Sequence, residues 1–90
     1  MKRIGIVGIV IEDLDSISNV NNIISSYSDI IVGRLGIPYK EKGVSVISLV
    51  VDGTNEDIGS LTGKLGSIKG INVKSALTKT LKNRRNQNEK

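Results

Sequence analysis

Glu12 and Asp13 are adjacent carboxylates that directly follow an apolar run. Such a pair can hold an amine or a metal ion. Just before a helix, the same residues serve a plainer purpose, accepting hydrogen bonds from the free N–H groups of its first turn. The chain has no His and no Cys, so a transition-metal site lacks its usual ligands. Its many serines likewise lack the usual base to activate them. No catalytic residue, metal site or cofactor is therefore expected, and the chain is read as a non-enzyme. A second segment, Gly33-Arg34-Leu35-Gly36-Ile37-Pro38-Tyr39, sets one arginine between two glycines ahead of a rigid proline. Arg34 offers a fork of donors suited to a carboxylate or phosphate, with Gly36 and Tyr39 beside it; as structure, the segment is a strand twisting into a turn. A third, Gly59-Ser60-Leu61-Thr62-Gly63-Lys64-Leu65, hints at a phosphate loop. Its spacing is one residue short, Leu65 stands where Ser or Thr is needed, and the stretch reads as helix interior.

These residues must be positioned by elements that the pattern makes legible. Ile4 to Ile11 is too short and too β-branched for a helix and reads as a buried strand. Asp13 or Asp15 caps a helix in which Ile17, Val20, Ile24 and Tyr27 recur on one side. A second strand runs over residues 30–37, with Ile31, Leu35 and Ile37 on one face, Arg34 on the other, and Pro38 ending it as suits an edge. Lys40 to Gly43 is a polar turn, and Val44 to Val51 is a strand apolar on both faces. Asp52-Gly53 closes that strand. Thr54 with Asp57 three residues on approximates a capping box for a helix whose stripe is Ile58, Leu61, Leu65 and Ile68. Gly70 is expected to stop this helix, and Ile71 to Leu77 alternates as a last strand with one wet face.

The order is βαββαβ, an α+β ferredoxin-like sandwich: a four-stranded antiparallel sheet with two helices on one face and strands one and three in the centre. Residues 1–78 make this single domain. The net charge of +4 resides in residues 79–90, where Lys79, Lys82, Arg84, Arg85 and Lys90 outnumber Glu89. This basic tail is expected to be disordered.

Two helices cover only one face of such a sheet. In the first strand Ile4, Ile6 and Val10 point one way and Val7, Ile9 and Ile11 the other; in the third, Val44, Val46 and Val50 oppose Ile47, Leu49 and Val51, so the uncovered face carries about six aliphatic side chains. Monomers rarely show so contiguous an apolar patch, and a second copy of the chain is its simplest cover, as a homodimer or tetramer. In the second helix Gly59, Gly63 and Gly66 fall on a stripe pointing away from the apolar one. Each interior glycine costs about 1 kcal/mol relative to alanine. The bare stripe either admits a neighbouring backbone or small ligand, or is a tolerated weakness of the helix. Sequence-specific nucleic-acid binding is not expected: no reading helix is evident, and Tyr27 and Tyr39 are the only aromatics.

Met1-Lys2-Arg3 followed by Ile4 to Ile11 superficially resembles a signal peptide. The apolar run is too short, no cleavage site follows, and acids come at once. No stretch approaches the roughly 20 apolar residues that span a bilayer. The expectation is a cytoplasmic protein.

The segments Gly33 to Tyr39, Val44 to Gly53, Ile58 to Gly66 and Gly70 to Leu77 together resemble the small iron-only hydrogenase system regulators. The resemblance covers nearly the whole chain before the tail. It implies an ACT-like version of the fold, similar also to the C-terminal domain of nickel-responsive repressors, with homo-oligomers and a regulatory role. Those repressors bind nickel through His and Cys, absent here, so nickel sensing is not carried over. Their DNA-binding domain has no counterpart in these 90 residues, so control of transcription would pass through a partner protein. The leading expectation is a homo-oligomeric sensor taking a small-molecule effector near Glu12, Asp13, Arg34, Gly36, Tyr39, Gly59 and Gly63. The alternative is an adaptor that binds another protein and no small ligand. A cofactor-free oxygenase is the weakest reading, for want of His, Trp and Phe.

Overall fold

Nearly every position from Ile4 to Ile11 is aliphatic, and the run forms the long central strand β1 (Lys2–Ile11) of a computed structural model that describes residues 2–78. The expected tail, 79–90, lies outside the described residues. Asp13 then accepts from the Asp15 N–H (3.1 Å) and starts a short 3-10 turn, Leu14–Ser16, that leads into α1 (Ile17–Ser26). A second such turn, Ser28–Ile30, precedes β2 (Ile31–Tyr39). A third, Lys40–Lys42, joins it to β3 (Val44–Thr54), with Gly43 at φ 69° where only a residue without Cβ sits easily. Thr54 caps α2 (Asn55–Gly66), its hydroxyl accepting from the Asp57 N–H at 3.0 Å. β4 (Ile71–Leu77) completes the sheet.

The sheet is antiparallel throughout, in the order β2-β3-β1-β4. This is the ferredoxin-like arrangement the pattern predicts, with β1 and β3 central. The core lies between sheet and helices. Val7, Ile9 and Ile11 from β1, Ile47, Leu49 and Val51 from β3, Val20 and Ile24 from α1, and Ile58, Leu61 and Leu65 from α2 are all buried. Since β-strand side chains alternate between faces, the helix side takes the odd-numbered residues of β1, β3 and β4.

Three expectations need correction. Pro38 does not end β2; it sits within the strand opposite Ser45, tolerated because an edge strand need not supply every ladder donor. β3 likewise runs through Asp52 and Gly53 to Thr54. Gly70 does not stop α2. The helix ends at Gly66, where Ser67 N–H turns back to the carbonyls of Gly63 and Lys64. Gly70 instead takes φ 76° in the turn that enters β4.

The helix layer is fastened to the sheet at one corner. The Gly70 carbonyl accepts from Glu12 N–H at 2.7 Å. The buried Ser16 hydroxyl donates to the Lys69 carbonyl at 3.0 Å.

Candidate functional site

The face of the sheet away from the helices is built from residues whose partners across the ladder lie on the same side. Ile6 is opposite Val50, Val10 opposite Val46 and Ile4 opposite Asp52. On the far flank Ile6 is opposite Ala76 and Gly8 opposite Lys74. Ile4, Ile6, Val10, Val44, Val46 and Val50 therefore share the open face, the alternate set of β1 and β3 being buried under the helices.

β2 departs from its expected phase. Ile31 pairs with Val51 and Gly33 with Val50, so Val32 is an extra, unpaired residue: a β-bulge. Beyond it the strand is half a pleat out of step with Ile31. Leu35 faces Ser48, Ile37 faces Val46 and Tyr39 faces Val44, which puts all three on the open face instead of over the core. Ile31 stays on the helix side. The open face thus gains Leu35 (61% exposed) and Ile37 (51%) beside Ile6 (54%) and Val50 (39%). Sequence reasoning missed Leu35, Ile37 and Tyr39 here, because a bulge carries no reliable mark in an alternating strand. Fully burying an aliphatic side chain is worth roughly 1.5–3 kcal/mol, so each of these retains on the order of 1 kcal/mol of unrealised burial.

The candidate polar residues are scattered over the molecule. Glu12 and Asp13 stand at the β1–α1 corner. Their N–H groups face the Gly70 carbonyl, and the Asp13 carboxylate caps its own turn. Arg34 lies on the helix side, opposite Leu49, and donates to Asn21 Oδ1 at 3.1 Å. Gly36 is on that side too, above Ile47. Tyr39 is on the opposite face, so Arg34 and Tyr39 do not make a joint pocket. Gly59 and Gly63 line a groove of about 650 Å³ between α2 and β4, with Thr62, Gly66 and residues 71–75. Among the described residues no three His, Cys, Asp or Glu side chains gather as a metal site. No described helix is long and apolar enough to cross a membrane.

One polar cluster was not anticipated. The Tyr27 hydroxyl lies 2.5 Å from Ser60 Oγ, and Lys64 Nζ sits 5.2 Å from the Tyr27 ring centroid. Hydrogen bonding to Ser60, then to Lys64, holds the Tyr27 phenol below its usual value of 10.0. These three groups join α1 to α2 across the outer surface.

Known proteins fit this geometry. The uncharacterized protein TM1266 from Thermotoga maritima superposes with a TM-score of 0.83 at 36% identity, over 88% of this chain and all (100%) of that one. Two more distant structures share the fold only. A formyltetrahydrofolate deformylase from Pseudomonas putida has a TM-score of 0.59 at 8% identity, over 81% of this chain but 28% of its own. A protein of unknown function from Galdieria sulphuraria also reaches 0.59, at 12% identity, over 89% of this chain and 47% of its own. No curated protein matches. Residues 3–75 match the TM1266-like family, described as "Iron-only hydrogenase system regulator, putative", and the chain belongs to that family.

Proposed function

We propose that this chain is a non-catalytic regulatory module whose working form is a homo-oligomer, with two copies stacked through the open faces of their sheets. The observation that carries the reading is the cluster Ile6, Leu35, Ile37 and Val50, contiguous across three strands and each more than a third exposed. Covering such a patch is the kind of burial that drives association. The family's regulatory description supports the role, and the lack of any His or Cys supports a role without catalysis. Because the polar candidates do not converge within one chain, a small-molecule effector would bind where two copies meet. Control of gene expression would be exerted through a partner protein.

Light scattering of the purified full chain tests the assembly. The expected mass is that of a dimer or higher, and it falls when Ile6→Glu puts a charge on the patch. A wild-type monomer at every concentration would overturn the reading. A thermal-shift screen of amino acids and nucleotides then tests the effector. A stable oligomer that responds to none of them would favour the adaptor role.

A further inference from the structure

The two edges of the sheet are built differently. β2 is protected: Val32 bulges out of its ladder, and Pro38 has no N–H to offer. β4 has no proline, and its register with β1 is unbroken from Ile71 to Leu77. At its two ends the Gly70 carbonyl accepts from Glu12, and Thr78 N–H donates to the Ile4 carbonyl at 2.9 Å. The even-numbered residues therefore turn their main-chain groups toward β1. Alternation along an antiparallel strand turns the N–H and C=O groups of Ile71, Val73 and Ser75 to the free edge.

Directly above that edge runs the glycine stripe of α2. A Cβ built on Gly59, Gly63 or Gly66 meets nothing within 4 Å, so nothing among the described residues requires these positions to be small. The groove between helix and edge has a volume of about 650 Å³ and is lined by Gly59, Thr62, Gly63 and Gly66 above and residues 71–75 below.

We propose that β4 pairs antiparallel with β4 of a second copy, extending the sheet across a twofold axis while the two α2 helices meet along their glycine stripes. An extended peptide would satisfy the edge but leave the space beside α2 empty. A second copy brings a strand and, one layer above it, a helix. The α2 part of the strip carries no charge, and the one charged side chain of β4 selects the register. With Val73 on the axis, Ile71 pairs with the partner's Ser75, and Lys74 faces the partner's Asn72. A two-residue slip would set the two Lys74 side chains directly opposite each other, which is unfavourable. α2 has 12 residues, about 18 Å of helix, so the strip is small beside the roughly 800 Å² per partner of a standard interface. Edge pairing alone is therefore a weak, concentration-dependent contact. Combined with stacking of the open faces it closes a four-copy assembly with two kinds of twofold. That assembly rests on the stacking proposed above; the edge pairing does not.

The test uses the full chain, with light scattering and amide hydrogen exchange. Val73→Pro removes an N–H that points outward and has no partner among the described residues; because Val73 also packs against the core, circular dichroism checks that the variant is folded, and Val73→Thr, which keeps the N–H, is the control for the lost side-chain contacts. The expected result is at least about a tenfold weaker association and faster exchange at Ile71 and Ser75. Gly63→Leu fills the stripe; it should raise the thermal midpoint of the separated chain and weaken association. Ile6→Glu reads stacking separately: a dimer that survives it and falls apart only when Val73→Pro is added supports the edge contact. If Val73→Pro and Gly63→Leu leave mass and exchange unchanged while Ile6→Glu dissociates the protein, stacking stands and edge pairing falls. Rapid exchange at Ile71, Val73 and Ser75 in the assembled protein also overturns the proposal, as does slow exchange there in a chain that stays monomeric.

Discussion

Val7 and Ile6 are neighbours in β1, yet Val7 is fully buried (0% exposed) and Ile6 is 54% exposed. The same contrast repeats between Leu49 and Val50 in β3. One face of the sheet is closed by two helices, and the other carries the same kinds of side chain with none of the described residues over them. Apolar composition is therefore no guide to what stabilises the monomer. What counts is which side of a strand a residue takes, and one extra residue in β2 suffices to change it.

The sharpest way to break this contrast is a pair of truncations on adjacent pleats. Ile9→Ala, under the helices, is expected to cost about 2–5 kcal/mol of unfolding free energy, read by urea denaturation. Ile6→Ala should cost under about 1 kcal/mol in dilute protein, where copies are apart, and more as concentration rises. Equal costs in dilute protein would abolish the distinction between the faces.

The covered face is only as closed as the fastening of its helices, which the next two substitutions loosen. Gly70→Ala forces a Cβ onto a residue at φ 76° and against Asp13, whose backbone N lies 3.0 Å from the position that Cβ would take. A loss of about 2 kcal/mol or more is expected; an unchanged denaturation midpoint would show that this turn is free to relax. Ser16→Ala leaves the Lys69 carbonyl without its hydroxyl donor and should cost about 1 kcal/mol. Exchange should quicken at Glu12 and in the first turn of α1 while β3 is unaffected.

The smallest effect is at the exposed seam between the helices. The Tyr27 phenol ionises below its usual value because Ser60, then Lys64, favours the anion. A group whose folded pKa is depressed adds stability as pH rises through that value, and loses it as pH falls back. The window is thus alkaline, just below the ordinary tyrosine range. Ser60→Ala should move the Tyr27 midpoint upward in an ultraviolet absorbance titration. An unmoved midpoint would remove Ser60 from the account. Added salt should shrink the Lys64 part, since the group is exposed.

Most of the architecture could be read from period and punctuation. Apolar runs of strand length, helical stripes such as Ile58, Leu61 and Leu65, and the Lys40 to Gly43 turn left one chain order and one sheet. The phase of β2 could not be read. Ile31, Gly33, Leu35, Ile37 and Tyr39 alternate as a straight strand would, and nothing in Ile31-Val32-Gly33 marks where the ladder gains a residue. The end of α2 was placed too late for a similar reason: Gly70 does take the left-handed conformation that suits a helix stop, but the helix already ends at Gly66, and local propensity does not mark that earlier end. The ligand candidates were the least legible. Arg34 and Tyr39 look adjacent in sequence, but an odd separation along a strand sends them to opposite faces, and the helix-side arginine is engaged by Asn21.

That parity has a practical consequence. The chain has two tyrosines and no tryptophan or phenylalanine, one phenol on each side of the sheet. Ultraviolet emission from a Tyr27→Phe variant would come from Tyr39 alone and sense the apolar surface being covered. The Tyr39→Phe variant would be blind to that event and watch the helical layer instead. Each event could thus be followed optically with no dye or tag attached.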